Sequence, residues 1–108
     1  MKRPSNYSPR TREAAELLGS RIRAGRRERR WTLEDLAERV GIGVVTMRKI
    51  EQGDPKVGLG PAFEAATLTG VALFHEDPSR FALEAGRIED RLAVLPKSVR
   101  KPRVDDDF

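Results

Sequence analysis

The chain has 108 residues, 38% of them apolar, no cysteine and a formal net charge of +4. That length supports one compact domain with a modest core, without room for a large buried active-site cavity. No disulfide framework can form, which makes a reducing cytoplasm the expected home. No run approaches the ~18 apolar residues of a membrane helix, and the basic start MKRPSNYSPRTR has no apolar stretch behind it to make a secretory signal.

The charge is unevenly spread. Residues 1–31 carry ten Lys/Arg against three Asp/Glu, a local +7. Residues 32–53 carry three against four, and residues 54–78 one against four. A basic end on a neutral-to-acidic remainder implies a polyanionic partner, nucleic acid or an anionic membrane. A solvated arginine-rich helix face accounts for the charge equally well.

Taken in chain order, residues 1–10 read as a basic flexible arm, with Ser8-Pro9 able to cap and start a helix and Thr11 as a rival cap. Helix 1 is expected from there to about Arg29, with Ala15, Leu18 and Ile22 as its apolar stripe. Arg30-Trp31 is a short break. Thr32 with Asp35 then forms an approximate capping box for a helix over 33–40, whose apolar positions are Leu33, Leu36, Ala37 and Val40. Gly41 stands where a left-handed cap is useful, and Ile42-Gly43 completes a three-residue turn. Helix 3 is expected over about 44–52, Met47 and Ile50 facing inward, stopped by Gly53-Asp54-Pro55.

Residues 54–60 read as a Gly-rich loop with one apolar plug, Val57 or Leu59. Pro61 is expected to start helix 4, with Leu59, Phe63 and Ala66 as its buried face and Gly70 at its end. Asp77-Pro78 caps and starts helix 5, which carries Phe81, Ala85, Ile88, Leu92 and Leu95 in a single stripe. Pro96 ends it, and residues 96–108 are expected to be disordered when alone. No strand-like alternation and no internal repeat is visible. The expected fold is therefore all-α with five helices: an arm (1–10), a domain (11–76), a C-terminal helix (77–95) for a dimer or partner contact, and a tail (96–108).

Residues 33–52, LEDLAERVGIGVVTMRKIEQ, form a bihelical unit. Ala37 is small where the two helices cross, Gly41 lets the chain reverse, and Ile42, Met47 and Ile50 plug the angle between the helices, with Leu36 beneath them. A turn this short forces a steep crossing, the geometry of a helix-turn-helix whose second helix enters the major groove of DNA.

The stretch LGSRIRAGRRERRWTLEDLAERVGIGVVTMRKIEQGDP resembles the XRE family, the Cro/lambda-repressor type of helix-turn-helix domain. Leu36, Ala37, Gly41, Ile50, Glu51 and Gly53 fall at that family's spacing, over roughly residues 17–70. The resemblance implies a lambda-repressor-like DNA-binding fold that acts as a dimer on a palindromic double-stranded operator. The sequence departs from the family at Leu33, where Gln often reaches a phosphate, at Gly43, where Ser often caps helix 3, and at Val44, where a polar base-reader is common.

The available replacement for amide readout is apolar contact with thymine methyls from Val44 or Val45, plus Arg48 to guanine. Val44 could instead face the core, so Val45 is the better candidate for exposure. Thr46 and Lys49 suit backbone phosphate, as do Arg23, Arg27 and Arg30, and Thr32 offers a hydroxyl and an N–H at a helix start. Lys2, Arg3 and Arg10 in the arm could enter a minor groove.

Little else carries chemistry. His75 is the lone histidine and has no cysteine to share a metal with, so no metal, cofactor or catalytic group is expected. Gly53, Gly58 and Gly60 lack the strand and the Lys-Ser/Thr of a phosphate loop. Asp105, Asp106 and Asp107 lie in the tail and are expected to stay solvated.

The segment GDPKVGLGPAFEAATLTGVALF is similar to the corresponding stretch of HipB-type antitoxins, which implies operator binding together with binding of a HipA-like kinase toxin. Phe81, Ile88, Leu92 and the terminal Phe108 are candidate dimer or partner contacts. Stand-alone repressors, phage regulators and restriction controllers share the same motif. A protein-interaction module that has lost groove contacts is the rival class, with Leu33 and Val44 as its basis.

Overall fold

In a computed structural model, which describes residues 6–99 and 101, the chain forms five helices, and no strand occurs among the described residues. They are α1 (Pro9–Glu28), α2 (Leu33–Val40), α3 (Val44–Glu51), α4 (Leu59–Leu68) and α5 (Pro78–Val94). The chain divides into two compact units between Leu73 and Phe74. None of the helices is long and apolar enough to cross a membrane.

Local signals set the first three helices. Ser8 Oγ accepts from the Thr11 N–H, and Pro9 fills the first helical position, where its missing donor costs nothing. Arg10 therefore lies in the first turn of α1 and not in a free arm; Lys2 and Arg3 lie outside the described residues. The Thr32 Oγ1 accepts from the Asp35 N–H at 3.0 Å, and the Thr32 N–H donates to Asp35 Oδ2 at 2.8 Å, a complete capping box. Gly41 ends α2 at φ 88°, a conformation that costs other residues a steric penalty. Gly43 starts α3 without a side-chain cap.

The core of the first unit comprises Ile22, Leu36, Ala37, Met47, Ile50, Ala62, Ala65 and Ala66. Leu18, Trp31, Leu33, Val40, Ile42, Val44 and Val57 pack partly buried against it. Of the inner-face residues expected in α1, Ile22 is fully buried, while Ala15 and Leu18 are half-buried. Two glycines in α1 explain how closely the helices approach. A Cβ on Gly19 would lie 2.6 Å from the carbonyl oxygens of both Ile50 and Glu51, and one on Gly25 would collide with the Thr69 carbonyl oxygen. The small residue lets α1 lie directly over the ends of α3 and α4.

The fourth helix departs from the sequence expectation. It begins at Leu59 with Gly58 as cap, two residues before Pro61, because a proline is tolerated throughout the first turn. Its buried face is Ala62, Ala65 and Ala66: Ala66 lies inward as expected, but Ala62 and Ala65 stand in place of Leu59 and Phe63. Leu59 is 67% exposed and Phe63 half-buried, and Val57 is the residue that plugs the loop. The alanines win because the groove accepts only short side chains at close helix separation.

In the second unit, Asp77 caps α5 through its side chain, which accepts from the Ser79 N–H at 2.9 Å. No residue of α5 is buried, and the stripe of Phe81, Ile88, Leu92 and Leu95 is exposed throughout. Phe74, at φ 73°, meets Phe81 edge to face with ring centroids 6.3 Å apart.

Candidate nucleic-acid interface

The second helix of the bihelical unit, α3, is held by its two buried residues. Met47 is fully buried and Ile50 nearly so, and α3 packs on both α2 and α1. That fixes the opposite face outward. Val45 is 59% exposed, and Thr46, Arg48 and Lys49 are exposed beside it. Val45, Arg48 and Lys49 are separated by three and four positions, so they line one strip of the helix. Val44 is half-buried against the core, as is Leu33. Two of the three departures from the family pattern, Leu33 and Val44, thus have a packing reason. Of the two valines, Val45 is the one open to an external partner.

The end of α3 is clamped. Glu51 is its last residue and is buried at 4% exposure. Arg26 donates to it through Nε at 2.7 Å and Nη2 at 2.9 Å, and its Nη1 donates to the Trp31 carbonyl at 3.0 Å. Hydrogen bonding to Glu51 raises the Arg26 pKa above its ordinary value, outweighing the opposing effect of burial. Arg23 Nη2 donates to the Glu51 backbone carbonyl at 2.7 Å. Among the described residues, every ion pair converges on Glu51.

The basic residues expected to meet phosphate therefore fall into two groups. Arg23 is engaged at the end of α3, where its guanidinium satisfies a carbonyl that the helix leaves unpaired. Arg27 and Arg30 are exposed, with no carboxylate within ion-pair distance among the described residues. Arg30 has φ 59°, the left-handed region, and closes α1: its N–H donates to the Arg27 carbonyl, and the Trp31 N–H to the Arg26 carbonyl. Thr32 is exposed, but its N–H and its hydroxyl are both engaged by Asp35 in the capping box, so neither is held ready for a phosphate.

Three features escape sequence reading. Arg26 with Glu51 is one, although a glutamate ending a helix is disfavoured by the helix dipole and so hints at a cationic partner. The second is Trp31, half-buried, with the Arg39 guanidinium 4.2 Å from its ring centroid. The third is Arg29, whose Nη1 donates to the Thr69 carbonyl at the end of α4. Neither Trp31 nor Arg29 belongs to a local motif.

His75 is exposed, and the described residues contain no cluster of His, Cys, Asp or Glu able to hold a metal ion. Of the candidate partner contacts, Phe81, Ile88 and Leu92 are exposed on α5, and Phe108 lies outside the described residues, as do Asp105, Asp106 and Asp107.

Comparison with known proteins agrees with this geometry. A family model described as a helix-turn-helix domain matches residues 17–71, from within α1 to just past α4. No curated protein and no solved structure matches the chain. The buried Met47–Ile50 side of α3, its exposed basic side and the family match together define what the chain is: a member of the helix-turn-helix domain family, in the XRE-type group of DNA-binding regulators.

Proposed function

We propose that this chain is a sequence-specific transcriptional repressor that binds a palindromic operator as a homodimer, in the cytoplasm and on the nucleoid. The observation that carries the reading is the exposed strip of Val45, Arg48 and Lys49 on a helix whose other side is locked by Met47 and Ile50. Arg48 reads guanine in the major groove, Val45 meets a thymine methyl, and Thr46, Lys49, Arg27 and Arg30 hold phosphates. The reading assigns no catalytic chemistry and no cofactor to the chain.

Its finer form is an antitoxin that represses its own operon and binds a HipA-like kinase toxin. The likeness of GDPKVGLGPAFEAATLTGVALF to HipB-type antitoxins supports it.

Mobility-shift titration with the DNA upstream of its own gene, over a salt series, tests the repressor reading. Specific binding that weakens steeply with salt supports it. Equal binding to unrelated sequences contradicts it. Co-expression with the product of the adjacent gene tests the antitoxin reading: a stable complex with a kinase-like protein supports it, and the absence of any such gene removes it.

A further inference from the structure

The apolar stripe of α5 has a stricter spacing than a surface helix needs. Phe81, Ala85, Ile88, Leu92 and Leu95 follow one another at intervals of four, three, four and three. That is the repeat of a two-stranded coiled-coil seam, not the broader face of a helix lying on a globular core. Every one of these residues is exposed in the second unit. Phe81, Ala85 and Ile88, with Glu84 and Glu89 beside them, line a groove of about 300 Å³ that Phe74 and His75 close at the Phe81 end.

The flanking charges choose the occupant. In a parallel pair, the residue at 84 faces the residue at 89 of its neighbour, so Glu84 would oppose Glu89 twice per dimer. In an antiparallel pair, each flank faces the same flank of the neighbour. With Phe81 layered on Leu92 and Ala85 on Ile88, Glu84 then lies across from Arg91, again twice, and Glu89 lies across from the uncharged Ala82. Sliding the pair by one heptad towards the C-terminus sets Arg91 against Arg91 and Glu89 against Glu89. Sliding it the other way sets Glu84 against Glu84. One register alone is attractive.

We propose that α5 pairs antiparallel with α5 of a second copy of this chain, Phe81 and Ala85 packing on Leu92 and Ile88 of that copy and Glu84 pairing with its Arg91. This rests on the homodimer reading above and gives it an interface, an orientation and a register. The acidic-banked groove at the start and middle of one helix receives the Arg91-Leu92 end of the other, so one surface serves as both receptor and insert. Glu84, Glu89 and Arg91 have no intrachain ion pair among the described residues, which leaves their charges free for this contact.

Sedimentation equilibrium of the full chain at low salt, over a concentration series, tests the pairing with charge reversals. The native chain is expected to dimerise with concentration. Glu84→Arg and Arg91→Glu should each weaken the dimer by about tenfold, and the double exchange E84R/R91E should restore it. Strengthening by Glu84→Arg would mean a parallel pair and would overturn the proposal. A dimer indifferent to both reversals would also overturn it, while leaving the homodimer reading in place. A chain that stays monomeric at every concentration would remove both.

Discussion

Glu51 at the end of α3 presents both carboxylate oxygens to the Arg26 guanidinium of α1, at 2.7 and 2.9 Å. The pair is almost free of solvent, with side-chain exposures of 5% for Glu51 and 12% for Arg26. Bidentate geometry of this kind fixes orientation as well as distance. It therefore ties the C-terminal end of the helix that carries Arg48 to α1.

Removing one partner of the pair should be costly. Glu51→Gln leaves the Arg26 charge buried without its counter-charge, and the domain should lose about 3 kcal/mol of stability. Denaturant unfolding of the variant, compared with Arg26→Gln and the double variant, measures it. A double variant that loses much less than the sum of the single variants is the expected result.

Arg30 should show opposed effects on stability and on binding. Its φ of 59° is strained for a residue with a side chain, whereas three other left-handed positions of the first unit, Gly41, Gly53 and Gly70, are glycines. Arg30→Gly should stabilise the domain by about 1 kcal/mol. The same change should weaken DNA binding and reduce the slope of log affinity against log salt by about one. Thermal unfolding and a salt titration of the same variant test both halves.

The capping box predicts a pH dependence. Hydrogen bonds to Asp35 from the Thr32 N–H, then from the Thr32 hydroxyl, hold its pKa below the ordinary value. A depressed folded-state pKa means that the ionised cap stabilises the fold above the unfolded carboxylate pKa, and that this contribution fades as pH falls through the folded value. Asp35→Asn should therefore lower Tm at neutral pH, and the gap from the native chain should narrow below about pH 4. A gap that is constant with pH would exclude the charge as its cause.

Gly25 should tolerate no side chain. A Cβ there meets the Thr69 carbonyl oxygen, a backbone atom that cannot swing aside. Gly25→Ala should cost about 2 kcal/mol, despite the better helix propensity of alanine. Exposed Gly86, with nothing near its Cβ, should instead gain stability on the same change.

What the sequence makes legible is what is encoded locally. Ser8-Pro9, the Thr32–Asp35 box, Gly41, the Met47–Ile50 spacing and Asp77-Pro78 each announce an element through neighbours a few residues apart, and α1, α2, α3 and α5 lie where those signals put them. The face of α4 does not follow from its pattern. Leu59 and Phe63 are larger apolar residues than the alanines, but the alanines are buried because the space between helices is narrow, a property of distant chain segments. Gly19 and Gly25 read in sequence only as weak helix formers, since the carbonyls that exclude a Cβ belong to α3 and to the end of α4. Among ten basic residues in the first 31, nothing local singles out Arg26, whose partner stands 25 positions away. The candidate site was legible for the same reason as α3: Arg48 and Val45 are placed by the buried residues beside them.

The central claim is that the exposed strip of α3 chooses the DNA sequence while the basic residues around it supply affinity. The most direct test compares native and Arg48→Ala chains on the upstream operator and on a scrambled duplex at one fixed salt concentration. Loss of a bidentate contact to guanine should cost about 1–3 kcal/mol of discrimination and leave binding to the scrambled duplex far less changed. An Arg48→Ala chain that keeps the native preference for the operator would contradict the account.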